Sequence, residues 1–241
     1  MPRAPPAVVS GAHVDAEAMV IAGSLAGLFL LLATLTVRGF LKFGRSRRRV
    51  DLAWAAGIAL AAAAMAVELV VFLGVVSSPI LQAYVFFSAA IVGVLSLGAT
   101  RVLRSPRLES AYTAWTLATC AVTGFFSAIT PLPATMVSQG IITGNPPVLL
   151  LVVSSLVTGP ATIVLVAASI LALRRSWRWQ TLLLVGGALV LGAGGTLYIA
   201  SFPVALYYAE FFGIILLFLG LISLPQPTAA PSATGTLAGA E

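Results

Sequence analysis

Glu68 and Glu210 are the only two carboxylates of this chain that fall inside long apolar runs. The flanking residues read AAAAMAVELVVFL around Glu68 and ALYYAEFFGIILLF around Glu210. A charged side chain at the centre of a membrane helix costs roughly 2.5–3.5 kcal/mol on insertion scales, so such residues are functional candidates by default. Both lie a similar number of residues from the same end of their runs, which at about 1.5 Å per residue puts both on the order of 10 Å below one surface. Two carboxyls held close would share a proton. That chemistry suits proton coupling or the capture of a cationic solute. The opposing reading is that each glutamic acid is protonated and hydrogen-bonds a neighbouring hydroxyl or carbonyl.

The side chains around them carry the rest of the candidate site. Gly57, Ala61, Ala64 and Glu68 share one helical stripe, and Tyr207, Glu210, Gly213 and Gly220 share another. Small residues mark the side of a membrane helix that packs on its neighbours, so both carboxyls are expected to point inward. Tyr84, Tyr207 and Thr158 are the hydroxyls expected to join them in binding a substrate or a proton. Ser88, Ser127, Thr130, Ser154, Ser155, Tyr198 and Ser201 populate the same half of the bundle. Together these residues predict an outward-facing polar cavity. Gly159 and Pro160 follow Thr158 directly, and proline removes one helical hydrogen bond and clashes with the preceding turn. They are read as a hinge, of the kind that lines binding sites in transporters with broken helices.

The inventory excludes several chemistries. The only histidine, His13, lies near the N-terminus, and the only cysteine, Cys120, falls in an apolar run. A bis-histidine haem, a three-histidine zinc site and a serine–histidine dyad therefore have no ligand set in this chain. No aspartate falls inside a predicted span, which removes an intramembrane aspartyl pair. No metal and no cofactor are expected, and an enzyme is the least expected class.

The elements that must position these residues follow from composition. The chain is 60% hydrophobic and 8% charged, with a mean hydropathy of +1.07. Soluble domains carry about 25% charged residues, so a water-soluble fold is out. A span needs about 20 apolar residues, and seven runs qualify: 18–37, 52–76, 80–103, 111–132, 148–173, 181–202 and 204–224. The expected fold is all-α, a seven-helix membrane bundle preceded by a tail over 1–17 and followed by a flexible tail over 225–241. Twelve of the thirteen Lys and Arg residues sit in the segments 38–49, 101–107 and 174–178. The positive-inside bias then places the N-terminus outside and the C-terminus in the cytoplasm.

Trp54, Trp115, Trp177 and Trp179 would form the cytoplasmic aromatic belt, with Tyr84, Tyr198, Tyr207 and Tyr208 toward the outer face. Gly23 and Gly27, and the row Ala188, Gly192 and Thr196, are expected to pack closely on neighbouring helices. The long external connection, 131–147, carries four prolines.

In helix count, length and orientation the topology resembles that of the microbial rhodopsins. Those proteins hold retinal on a lysine of their seventh helix, whereas the one lysine here is Lys42, in the first cytoplasmic connection. The arrangement is also similar to that of small sugar transporters built as three plus one plus three helices. Their Pro-Gln motif lies within helices, whereas here Pro225-Gln226 follows the last span. Neither resemblance carries a residue across.

Three function classes remain. One is a small-solute or proton-linked transporter using Glu68 and Glu210. The second is an accessory or assembly subunit of a larger membrane complex. The third is a seven-helix receptor or sensor without retinal. The expected partners are the lipid bilayer and either further copies of the chain or a larger membrane complex, with no nucleic acid. The expected location is the plasma membrane of a prokaryote, as a multi-pass protein.

Overall fold

The computed structural model describes residues 11–100, 105–138, 140–142, 144, 146–175, 179, 182–183, 185–187, 190, 212–216 and 219–220. Five long helices dominate: α1 (Gly11–Ser46), α2 (Arg49–Phe72), α3 (Ser78–Ala99), α4 (Pro106–Ile129) and α5 (Val148–Arg175). Between α4 and α5 lie a 3-10 turn, Ala134–Met136, and a two-stranded antiparallel hairpin of β1 (Val137–Ser138) and β2 (Ile141–Ile142).

The helix ends follow from local chemistry. α2 stops at Phe72 because Gly74 takes φ +90, a conformation open to glycine at no steric cost. Its N–H bonds to the Val71 carbonyl at 2.9 Å, and the Val75 N–H reaches back to the Val70 carbonyl at 3.2 Å. This paired closure satisfies two of the last carbonyls of the helix. α2 was expected to run to residue 76, and Gly74 is what ends it earlier. α3 and α4 both open with proline in the first turn, where its missing N–H costs nothing. α4 ends at Ile129 because Pro131 pushes the preceding residue out of the helical region, and Thr130 is extended at φ −93, ψ 112. The expected boundaries of 111–132 therefore shift toward the N-terminus. α1 begins ahead of the expected residue 18 and runs on to Ser46, so the 38–46 part of the basic segment is helical.

All five helices are long and apolar enough to cross a membrane. Their outward faces carry large apolar side chains such as Leu30, Leu117, Phe125, Ile163 and Ile170. Soluble monomers rarely expose so much large apolar surface, and it fits a multi-pass helical membrane protein. α4 makes the point most directly. Its buried residues, Thr116, Thr119, Thr123 and Ser127, all carry hydroxyls, while Leu117, Val122, Phe125 and Ile129 face out. The helix is polar inside and apolar outside.

α3 is the hub: α2 packs on α1 and α3, α3 also meets α4 and α5, and α4 meets α5. Glycine and alanine set the closest approaches. A methyl on Gly39 would lie 3.0 Å from the Ala55 Cβ, and one on Gly57 would lie 2.5 Å from Leu95 Cδ2. A methyl on Gly93 would reach Val157 of α5 and Thr116 of α4 together, and one on Gly98 would overlap the indole of Trp54. Gly23 and Gly27 do not take part. Both are exposed, with nothing within 4 Å of an added methyl, so the expected close packing there is not made among the described residues.

One apolar cluster joins α1, α2 and α3 through Leu32, Trp54, Ile58, Met65, Ile91 and Leu95, with Leu165 of α5 and Ile214. A second lies at the opposite end and includes Val71, Leu81, Tyr84, Leu132, Met136, Ile142 and Leu150. Of the sixth and seventh expected spans only short helical stretches are described. The row Ala188, Gly192 and Thr196, the tail 225–241 and the Tyr198, Tyr207 and Tyr208 part of the aromatic belt lie outside the described residues, as does Trp177.

Candidate functional site

Glu68 sits near the end of α2, about one turn before its last residue, Phe72. Its side chain is 2% exposed. The same flank of α2 buries Gly57, Ala61 and Ala64, whose small side chains let α1 and α3 approach closely enough to enclose a carboxyl. One turn below Glu68, Met65 belongs to the first apolar cluster; one turn above, Val71 belongs to the second. The carboxyl thus lies between two apolar layers.

The segment that follows α4 closes the space above it. Ser78 Oγ accepts the Leu132 N–H at 2.8 Å, and Gln82 Nε2 donates to the Thr130 carbonyl at 2.8 Å. These two bonds fasten the segment to the first turns of α3. The hairpin then turns back at Gly140, which takes φ +76 and lies against Phe72 of α2. Leu132, Met136 and Ile142 are buried against Val71, Leu81, Tyr84 and Leu150. The long connection is therefore an apolar cap on the bundle end nearest Glu68. Tyr84, expected at the outer interface, is buried beneath that cap.

Thr158 is half-buried on α5. Its Oγ1 donates to the Ser154 carbonyl at 3.2 Å, and its own carbonyl accepts from Thr162 Oγ1 at 2.8 Å. Ser154 and Ser155 likewise donate to the Leu151 carbonyl. The hydroxyls of this part of α5 are used along their own helix, a local bonding pattern that bends helices slightly. Gly159 is exposed, with open space around it. Pro160 lies inside α5, which remains helical from Val148 to Arg175.

The continuity of α5 has a specific support. Proline has no N–H, so residue 160 cannot bond to the Leu156 carbonyl four residues earlier. The indole N–H of Trp115 on α4 donates to that carbonyl at 3.2 Å. A neighbouring helix thus replaces the bond that proline removes, as the membrane interior requires. Trp115 lies about 14 Å along α4 from Pro106 and is half-exposed. Trp54, expected in an aromatic belt, is buried against Gly98 of α3. Trp179 is exposed.

The hydroxyl stripe of α4 was missed by the sequence reading, apart from Ser127. Thr119 donates to the Trp115 carbonyl at 2.8 Å, and Thr123, fully buried, donates to the Thr119 carbonyl at 2.8 Å and approaches the Val153 carbonyl of α5 at 3.4 Å. Farther down, Tyr112 of α4 and Ser96 of α3 lie 2.6 Å apart, and Ser96 donates to the Gly93 carbonyl at 2.6 Å. Ser127 Oγ is buried and has no hydrogen-bond partner among the described residues. The signal was present as hydroxyls at 112, 116, 119, 123 and 127, a helical repeat against an apolar background.

The structure thus brings Glu68 and Tyr84 inside the bundle, on adjacent helices, and puts Thr158 on a helix that packs on Tyr84's own. Glu210 and Tyr207 lie outside the described residues. Their neighbours on the same predicted stripe, Gly213 and Gly220, are buried, and Ile214 packs in the α1–α3 cluster. No family model, no curated protein and no solved structure matches this chain.

Proposed function

We propose that this chain is a seven-span membrane protein, N-terminus outside and C-terminus in the cytoplasm of a prokaryotic plasma membrane, that moves a proton or a small cationic solute through a site containing Glu68 and Glu210. The observation that carries the reading is Glu68 itself. A carboxyl 2% exposed within a helix apolar enough to span a membrane is costly, and is kept where it binds or relays charge. In this reading Tyr84 lies on the helix next to Glu68, and Thr158 and the Gly159-Pro160 step of α5 come into play only when α5 bends, since here the Thr158 hydroxyl bonds to the Ser154 carbonyl of its own helix.

The cap over the second apolar cluster gives this reading a direction. Glu68 is closed from the hairpin side in this conformation, so exchange with the outside requires the 130–147 segment to lift from Phe72 and Tyr84. Alternating exposure of a fixed site is how transporters of this general kind work.

The test is flux into liposomes containing the purified protein. An imposed proton gradient with a pH-sensitive dye inside should give uptake that Glu68→Gln abolishes while thermal unfolding stays within a few degrees of the parent. Unchanged flux in Glu68→Gln and in Glu210→Gln would refute the role of both carboxyls. Orientation is tested by single cysteines at Arg47 and Gly140, with Cys120 replaced: impermeant reagent should reach the first only from the cytoplasmic side and the second only from outside.

A further inference from the structure

The strongest charged feature outside the candidate site is the elbow between α1 and α2. Residues 38–51 hold six cations, Arg38, Lys42, Arg45, Arg47, Arg48 and Arg49, against one carboxylate, Asp51. That carboxylate is withdrawn from the arginines: Lys42 Nζ lies 3.3 Å from its Oδ1, and Ser46 Oγ donates to its Oδ2 at 2.5 Å. Arg45, Arg47, Arg48 and Arg49 are all exposed. Arg47 takes φ +52, unusual for a residue with a side chain. The turn is held by its own N–H on the Phe43 carbonyl at 2.7 Å and by the Arg48 N–H on Ser46 Oγ at 3.3 Å. The chain therefore accepts an uncommon backbone conformation to present three consecutive arginines between two helices.

The residues just before the elbow fix what meets it. Arg38, Lys42 and Arg45 recur at helical spacing on one face of α1. Val37 and Leu41, each 60% exposed, and Phe40 lie at the same heights on the other side. A face meant for water would not alternate in this way. Exposed apolar and basic faces at one level of a helix suit the boundary between lipid acyl chains and headgroups. The longer basic side chains there reach outward toward the phosphates. From Lys42 to the end of α1 is about 6 Å of rise, which carries Arg45 and Arg47–Arg49 to the depth of the phosphate layer. At the opposite bundle end the connecting segments 73–82 and 130–148 contain no Lys, Arg, Asp or Glu, and the first turns of α1 there carry Asp15 and Glu17.

We infer that the α1–α2 elbow is a binding site for anionic phospholipid headgroups, with the lipid phosphate held by Arg45, Arg47, Arg48 and Arg49. This rests on the membrane-spanning reading of α1 and α2 but not on the transport reading. Clusters of four to eight basic residues beside a membrane helix bind acidic lipid, and each cation near such a surface contributes about fivefold in affinity.

The experiment is a lipid titration of the full chain in mild detergent, read by native mass spectrometry, with phosphatidylglycerol and phosphatidylcholine as probes. Phosphatidylglycerol should bind in preference to phosphatidylcholine. The triple variant Arg47→Gln, Arg48→Gln, Arg49→Gln should weaken phosphatidylglycerol binding on the order of 100-fold. Arg107→Gln with Arg174→Gln, exposed arginines away from the elbow, should change it less than about fivefold. Arg47→Gly keeps the turn and removes one cation, and should cost about fivefold without loss of fold. Equal affinity for the two lipids, or equal losses in the triple and control variants, would overturn the inference. So would displacement of bound phosphatidylglycerol by inorganic phosphate or a short oligonucleotide, which would make this a site for soluble anions. Labelling of a cysteine at Arg47 from the outer side would overturn the proposed orientation alone, since the titration does not depend on it.

Discussion

Replacing Trp115 by phenylalanine should destabilise the protein, and Pro160 should be the reason. The indole N–H donates at 3.2 Å to the Leu156 carbonyl, the acceptor that proline at position 160 leaves without its helical partner. Phenylalanine keeps the ring and removes the donor. A net hydrogen bond is worth roughly 0.5–1.5 kcal/mol, and an acceptor left buried and unsatisfied costs roughly 1–3 kcal/mol. Side-chain hydrogen bonds between membrane helices average about 0.6 kcal/mol, with a maximum near 1.7 kcal/mol. Trp115 is half-exposed, and lipid is as apolar as the ring, so the lost ring area contributes little. The expected cost is therefore about 1 kcal/mol. The decisive comparison is the same substitution in a Pro160→Ala background. There residue 160 regains its N–H, the Leu156 carbonyl regains a partner within α5, and Trp115→Phe should cost under about 0.5 kcal/mol. The assay is reversible unfolding in mixed micelles of the four proteins in the cycle. A coupling below about 0.3 kcal/mol would refute the argument, because the two residues would then not share one carbonyl.

Three further outcomes follow from the packing and the turns. Gly98→Ala should destabilise by about 1–3 kcal/mol, since its methyl would overlap the Trp54 indole and overpacking of this size costs that much; Gly23→Ala, which meets nothing within 4 Å, should be neutral or stabilising, and thermal melts in detergent compare the two. Gly74→Ala should cost about 1 kcal/mol with no clash to explain it, because open space surrounds a residue at φ +90 and only the backbone is strained; denaturant titration measures it, and a gain in stability would count against the closure described for α2. Gln82→Ala combined with Ser78→Ala removes the two bonds that fasten the cap to α3, so amide exchange across 130–147 should speed up while exchange in the middle of α2 stays unchanged; uniform acceleration would show that the cap is not a separate unit.

Much of the architecture was readable because lipid leaves few alternatives. A backbone in hydrocarbon must satisfy its own hydrogen bonds, so apolar runs of span length become helices, and the positions of α2, α3 and α5 match the runs to within a few residues. The errors fell where a single residue acts locally, as Gly74 does in ending α2 and Pro131 in ending α4. The connection 131–147 was legible as a loop but not as a cap. Its apolar residues Leu132, Met136 and Ile142 show no period long enough to announce that they fold back onto α2 and α3. At the candidate site, the inward stripe of Gly57, Ala61, Ala64 and Glu68 was visible from spacing alone. The hydroxyl stripe of α4 has an equally regular spacing, but threonines that bond to carbonyls of their own helix, as Thr119 and Thr123 do, look the same in sequence whether they face lipid or the bundle interior.

The sequence by itself determined the material of this protein: apolar helices, a basic end set by the clusters between them, and a carboxyl within a span. Those properties depend on composition and on spacing along one helix, which the solvent reads directly. The partners of each side chain were decided only by the tertiary structure. Trp54 and Trp115 carry every sequence feature of an interfacial belt, yet one is buried against Gly98 and the other completes the Pro160 gap in α5. Gly23 and Gly27 have the spacing of a packing motif, yet among the described residues nothing lies within 4 Å of a methyl added to either, while Gly57, Gly93 and Gly98 set the helix contacts. In lipid every helix face is about equally apolar, so hydrophobicity does not select which face meets which neighbour. That choice falls to shape and to single hydrogen bonds between helices far apart in sequence, and these exist only once the helices have met.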